Sequence, residues 1–178
     1  MARVRNDVPV VEPANGMTLQ GSTIDTPLGV FGVVARDNHV VAAGFTGNYD
    51  ELLLPSGSGG IDEVERIDRV SDRIEAYFDG DVTALDSIPT SPEGSERKKG
   101  AWEAMRKVSP GPLSYAGLAR RMPPPASARS AARACATNPV ALIVPCHRFI
   151  GSDGKMHGYY WGIDRKEWLL KHEHTFMT

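Results

Sequence analysis

Ala128-Arg129-Ser130-Ala131-Ala132-Arg133-Ala134-Cys135-Ala136 is followed by Asn138-Pro139, by the apolar run Val140 to Val144, and by Pro145-Cys146-His147-Arg148. The first part reads as a short helix. Ser127 stands at its N-cap position, where a side-chain oxygen can accept from an otherwise unsatisfied backbone N–H. The side chains of this helix are small, so it can approach another surface closely. In a core that surface is another helix. In a DNA complex it is the minor groove, which is too narrow for a helix with bulky side chains. The two arginines favour DNA modestly. Just upstream, Ser114 caps a second short helix over Tyr115 to Met122, and Pro123-Pro124-Pro125 ends it. Two short helices around a tight break are the pattern of a helix-turn-helix, although an ordinary helical hairpin is commoner.

Helical spacing continues on both sides. Trp102, Met105 and Val108 predict a helix over Lys98 to Val108, broken by Ser109-Pro110-Gly111-Pro112. A last short helix is predicted over Glu167 to His174. Thr90 to Glu96 is a polar connector containing Pro and Gly, and serves as the expected domain boundary. Before it the pattern turns β-like. Val30, Phe31, Val33 and Val34 lead into the polar turn Arg36-Asp37-Asn38, and Val40 to Ala43 return, which reads as a hairpin. Ser56 to Gly60 is a flexible loop. Val64, Ile67, Val70, Ile74 and Phe78 predict a helix over Asp62 to Phe78, stopped by Asp79-Gly80-Asp81. The expected fold is α/β. A mobile tail (1–20) precedes a small N-terminal sheet-plus-helix domain (21–90), and a mainly helical C-terminal domain (91–178) carries the helix-turn-helix.

The charge is uneven along the chain. Residues 1–96 hold 6 Lys/Arg and 17 Asp/Glu, and residues 97–178 hold 14 Lys/Arg and 5 Asp/Glu, within a net charge of −2. A basic half suits a polyanion, but it equally suits pairing with the acidic half. No apolar run approaches the roughly 20 residues needed to span a membrane. The start Met1-Ala2-Arg3 lacks the apolar core of a signal peptide. The expected location is cytoplasmic. Of the two cysteines, Cys135 reads as a small buried hydrophobe, and a disulfide to Cys146 is not expected in a reducing compartment. Two cysteines without paired histidines make a poor metal site, so neither metal nor cofactor is expected.

Cys146 beside His147 raises a chemical question. A thiol nucleophile acts as thiolate, and an imidazole can take its proton. The imidazole in turn needs a carboxylate to fix its tautomer, and Glu173 in the last predicted helix is the available one. Adjacent residues often face apart, however. The chemistry alone leaves open a cysteine hydrolase working through an acyl-enzyme.

Asn138-Pro139 followed by Pro145-Cys146-His147-Arg148 resembles the active-site signature of the O6-alkylguanine-DNA alkyltransferases (methylated-DNA–protein-cysteine methyltransferases). The resemblance runs with matching spacing from about Trp102 to Glu173. It takes in Trp102-Glu103-Ala104, Ser114-Tyr115, Leu118-Ala119, Ala128-Arg129, Ser152-Asp153-Gly154, Gly158-Tyr159, Trp161-Gly162, Arg165-Lys166 and Leu169-Leu170. Thr26-Pro27-Leu28-Gly29 resembles the start of the family's first domain, and the match between is thin.

The resemblance implies direct DNA repair: one alkyl group moves irreversibly from O6 of guanine in duplex DNA to Cys146, after the nucleotide is flipped out. It implies His147 as the base, coupled through a water, with Glu173 orienting it and Asn138 holding the turn. Tyr115 would crowd the 3′ phosphate and help meet charge on the leaving guanine. Arg129 would enter the duplex as a finger. Ala128, Ala116 and Ser152 would lie against DNA. Tyr159, Trp161 and Ala141 would line the substrate pocket. The implied partner is double-stranded DNA carrying O6-alkylguanine, bound by a monomer, with clustering along DNA left open.

The sequence also departs from the family. The structural zinc of some members has no ligands here, since residues 1–96 contain no Cys and only His39. Phe149 stands where a β-branched aliphatic is usual, which is expected to add bulk near the site. Tyr160 and Trp161 occupy a loop that is glycine-rich or serine-containing in some relatives, and are expected to slow transfer of benzyl relative to methyl. Arg148 is expected to tie the two domains together, and His157, His172 and His174 to lie on the surface. The alternative function is a flagging protein that binds the lesion without repairing it; such proteins lack the reactive Cys. A purely regulatory helix-turn-helix protein would explain the arginines but not the Cys-His-Glu set.

Overall fold

The computed structural model describes residues 18–53 and 60–177. The expected tail lies outside it as far as residue 17, and so does the expected loop at 56–59. Three strands form an antiparallel meander: β1 (Leu19–Thr26), β2 (Gly29–Arg36) and β3 (His39–Gly44). Strand β1 begins inside the stretch expected as tail. Between β2 and β3 the chain reverses through Asp37 and Asn38, both left-handed at φ 49° and 62°. Asp and Asn tolerate that region better than other side chains, and the twist it gives matches a hairpin. The predicted turn is therefore where the sequence placed it.

The predicted helix over Asp62 to Phe78 is too long at its start. Ile61–Glu63 instead forms β4, parallel to β1, and completes a sheet of order β3-β2-β1-β4. The reason lies in the backbone. The Val64 N–H donates to the Gly21 carbonyl at 2.9 Å, and the Ser22 hydroxyl donates to the Glu65 carbonyl at 2.8 Å. These groups are engaged with the sheet, so Val64 matches the helical period without joining the helix. After the one-turn α1 (Tyr49–Leu52), the main helix of this half is α2 (Asp68–Phe78). It buries Val70, Ser71, Ile74 and Tyr77, the stripe expected of an amphipathic helix.

The helical half follows. Helix α3 (Glu96–Arg106) starts earlier than the predicted Lys98 because Ser95 caps it, accepting from the Lys98 N–H. Leu113–Ser114 forms β5, and α4 covers Tyr115–Ala119. Ser114 caps α4 as predicted, accepting from the Gly117 N–H at 3.0 Å. The helix ends short of Met122, whose α conformation the following Pro123 disfavours. Helix α5 (Ala128–Ala136) carries the predicted cap at Ser127, extended to a capping box with Ser130, and packs against α4. A 3-10 turn, Cys146–Arg148, leads into β6 (Phe149–Ile150), which pairs parallel with β5. Helix α6 (Ile163–Phe176) extends beyond the predicted Glu167 to His174 at both ends.

One continuous core joins the halves: Phe31, Ile74 and Tyr77 belong to the same buried cluster as Trp102, Met105, Leu118, Leu142, Phe149 and Leu169. The outer edge of β3 is also covered. Its Val40 N–H donates to the Pro89 carbonyl at 2.9 Å, and its Ala43 N–H donates to the Pro139 carbonyl at 2.9 Å. The Ala141 N–H returns to the Ala43 carbonyl at 3.0 Å. The segment leading to Cys146 is thus laid against the sheet, and no strand edge is left bare on that side. Among the described residues, no helix is long and apolar enough to cross a membrane.

Candidate active site

The turn after α5 is held by one side chain. The Asn138 amide nitrogen donates to the Val144 carbonyl at 2.9 Å, and its oxygen accepts from the Val140 N–H at 2.9 Å. This clamp forces a tight path. Leu142, fully buried, adopts φ 71°, a left-handed conformation that costs a side-chain-bearing residue of order 1 kcal/mol. The apolar run predicted as Val140 to Val144 is therefore neither strand nor helix. Its buried side chains anchor a strained loop, and the loop delivers Cys146 to the 3-10 turn.

Cys146 lines a cavity of about 380 Å³, together with Tyr115, Asn138, Ala141, Tyr159, Trp161 and Lys166. Behind it lies His147, fully buried. His147 Nε2 is 2.7 Å from Glu173 Oε1. Burial would push the Glu173 carboxyl up, but His147 and Arg148 beside it outweigh that and hold it down at about 2. Glu173 is therefore a carboxylate, which only accepts, so His147 Nε2 carries the proton between them. His147 Nδ1 is buried without a hydrogen-bond partner. A buried acceptor without a partner is the arrangement a proton-accepting nitrogen needs.

Burial pushes the Cys146 thiol up, while the Asn138 side chain and the Lys166 ammonium pull it down. Cys146 therefore rests as a thiol and needs a base. Lys166 is almost wholly buried, and its Nζ donates to the Phe149 carbonyl at 2.6 Å. Burial lowers its own pKa, which the two thiols partly offset. Burial, with Cys135 and Cys146 near, pushes the Tyr115 hydroxyl up to about 12, so it stays a donor at neutral pH. That hydroxyl reaches the His157 carbonyl at 3.1 Å. The Tyr159 hydroxyl is buried, has no partner, and is held well above its ordinary value by burial.

The expected pocket residues Tyr159, Trp161 and Ala141 thus share one cavity with Cys146, Asn138 and Tyr115, and His147 and Glu173 stand behind it. Arg129 and Ala128 do not line that cavity. They lie exposed at the start of α5, where Arg129 and Arg133 border a separate cleft with Arg97 and Lys98. Ala116 is half-buried in α4, and Ser152 is exposed in the turn after β6.

Several expectations need correction. Cys135 is not a core residue: it is partly exposed and lines the same cavity, because the last turn of α5 points there. Phe149 adds no bulk to the cavity; it is fully buried in the common core, and β6 turns only its carbonyl toward Lys166. Arg148 ties no domains together directly. Its guanidinium binds Glu173 at 3.0 Å and the Val108 carbonyl at 2.7 Å, both in the helical half. His172 is buried, stacked on Trp168 at 4.8 Å. His157 and His174 are exposed as expected, although His157 also borders the cavity. Lys166 and Tyr77 went unnoticed. Lys166 carried the signal of a cation at an apolar helical position, and Tyr77 that of a phenol on the stripe of α2. Among the described residues, no group of three or more His, Cys, Asp or Glu could hold a metal ion.

Residues 96–175 match the family described as 6-O-methylguanine DNA methyltransferase, DNA binding domain. A Mycolicibacterium paratuberculosis protein named methylated-DNA–protein-cysteine methyltransferase is 34% identical over 149 residues, covering 83% of this chain and 88% of the relative. A Shigella flexneri protein of the same name is 39% identical over 105 residues, covering 58% of this chain and 61% of the relative. Against that relative the chain spans about three fifths of its length. The crystal structure of Mycobacterium tuberculosis OGT in complex with DNA matches with TM-score 0.74 at 26% identity, covering 88% of this chain and 93% of that one.

Proposed function

The chain belongs to the methylated-DNA–protein-cysteine methyltransferase family, and on that premise we propose that it repairs duplex DNA by moving an alkyl group from O6 of guanine to Cys146. The observation that carries this reading is His147 Nδ1, buried without a partner in the residue next to the cavity-lining Cys146, with an ionised Glu173 at Nε2.

The lesion's carbon is buried in the base stack, so the nucleotide must be flipped into the cavity at a cost of a few kcal/mol. Helices α4 and α5 act as the helix-turn-helix, with Ala128, Ala116 and Ser152 against the DNA. Arg129 enters the duplex and fills the gap. Tyr115 crowds the 3′ phosphate, and Tyr159, Trp161 and Ala141 receive the base. His147 Nδ1 takes the Cys146 proton through a water. The thiolate then attacks the alkyl carbon. The S–C bond forms as the C–O6 bond breaks, and the electron pair leaves with guanine, which takes up a proton. Tyr115 and backbone amides near Cys146 meet the developing charge. The product is a thioether, which water does not cleave, so each molecule acts once. The chain works as a monomer in the cytoplasm. Its contact with DNA runs mainly through phosphates and groove shape, and weakens with salt.

The test is intact mass and peptide mapping after incubation with a duplex carrying one O6-methylguanine. A gain of one methylene on Cys146, stopping at one equivalent, is expected. Tight lesion binding with no change in mass would replace this reading with the flagging protein.

A further inference from the structure

Glu173 is reached by three side chains from two elements. His147 and Arg148 come from the 3-10 turn beneath the cavity, and Tyr77 comes from the last turn of α2, in the sheet half. The Tyr77 hydroxyl donates to Glu173 Oε1 at 2.9 Å, and both side chains are fully buried. Oε1 is the same oxygen that faces His147, at 2.7 Å. Arg148 covers Oε2 at 3.0 Å and reaches Oε1 at 3.1 Å. The Tyr77 main chain is held as well: His172 Nε2 meets the Tyr77 backbone carbonyl at 2.7 Å, and the two rings lie 5.2 Å apart. Glu173 in turn helps to raise the Tyr159 hydroxyl, whose main cause is burial.

We propose that Tyr77 is a positioning residue for alkyl transfer: its hydroxyl fixes the Glu173 carboxylate, and through it the tautomer and tilt of His147. The proposal rests on Cys146 being the alkyl acceptor. A phenylalanine would fill the same volume, so packing alone does not call for the hydroxyl. The bond does two things. It adds a further anchor to the carboxylate plane that Arg148 and His147 hold. It also draws charge from the oxygen that faces the imidazole, which limits how tightly the Nε2 proton is held. In the protonated pair that forms during attack, that balance decides how readily His147 accepts and later releases a proton. The sheet half thereby contributes a group to the reaction without touching the substrate.

Tyr77→Phe tests this with two readouts. The rate of methyl transfer from an O6-methylguanine duplex is expected to fall about tenfold at neutral pH, the size of one lost hydrogen bond to a charged group. The acid limb of the rate profile is expected to move to higher pH, because a more basic carboxylate favours the protonated imidazole. In a Glu173→Gln background, Tyr77→Phe should add little further loss. The second readout needs no transfer: the proton NMR signal of His147 Nε2–H should move in Tyr77→Phe, and in the opposite direction when 3-fluorotyrosine, a stronger donor, replaces Tyr77. An unmoved His147 signal and a superimposable rate profile, with only a lower melting temperature, would overturn the proposal. A His147 signal that moves as expected in a protein that transfers nothing would overturn the alkyl-transfer reading and leave the Tyr77–Glu173 link standing.

Discussion

The inner wall of the cavity and its rim follow opposite rules. Behind Cys146, Glu173 takes donors from His147, Arg148 and Tyr77, and all four residues are buried. At the rim, Tyr160 is 69% exposed, with a long bond to Glu51 at 3.4 Å and its ring edge-on to Trp161 at 4.6 Å. The Trp161 ring lies so close over β3 that a Cβ on Gly44 would sit 2.1 Å from it, and the Trp161 carbonyl accepts from Arg165 at 2.8 Å. Further out, Arg129 is exposed at the tip of α5. Removing a partner from the inner wall strands a buried polar or charged group, which is costly. Removing a rim side chain leaves nothing unsatisfied. Changes inside should therefore alter whether the reaction occurs, and changes at the rim should alter on what it occurs.

The sharpest break is Cys146→Ala, which leaves no acceptor. Methyl gain should vanish while lesion binding and the melting temperature are kept; residual transfer to another residue, seen by peptide mapping, would contradict the assignment. Next comes Glu173→Gln, expected to slow transfer about 100-fold, within the usual range for general base catalysis. It should also change the acid response. The folded carboxyl sits at about 2 rather than 4.5, so it adds stability that is full above about pH 4.5 and is lost as pH falls toward 2. Melting curves of the variant should lack that acid-side fall. Arg129→Ala is expected to slow transfer from duplex DNA about tenfold, since the finger offsets part of a flipping cost of a few kcal/mol. Transfer from the free modified base should be unchanged, and a parallel loss there would place Arg129 with the inner wall instead. The smallest effect is at the rim: Trp161→Ala should raise the rate with O6-benzylguanine relative to O6-methylguanine by a few-fold, as expected for a change of fit in an apolar pocket. If the unaltered chain already uses both at equal rates, the rim does not select.

What was legible in the sequence follows the same division between local and distant causes. The caps Ser114 and Ser127 and the Asp37-Asn38 turn depend on neighbours a few residues away, and each appears where its pattern placed it, while of the predicted stripe Val70 and Ile74 are buried on α2. Asn138 and Cys146, singled out by their signature, line one cavity, with His147 and Arg148 bonded to Glu173. The failures are long-range. Nothing local tells Ile61–Glu63 to leave a helical pattern for a strand; β1 does so from forty residues away in sequence. Tyr77 meets Glu173 across a separation of 96 residues, and His172 meets Tyr77 and Phe78 of α2 in addition to the rings of its own helix. Cys135 was misjudged because a helix end can face a core or a cavity, and composition does not distinguish them.

The hydrogen bonds that Ala43 makes with Pro139 and Ala141 bear on where such a chain can be divided. The loop ahead of the nucleophile lies on a shelf belonging to the other half of the gene product. A gene fragment encoding only the helical half would carry the thiol without its shelf. A foreign sheet could replace the shelf only by offering an unpaired strand edge at the same height. Severing the chain at the seam between the halves would therefore take from Cys146 the strand on which its loop is laid.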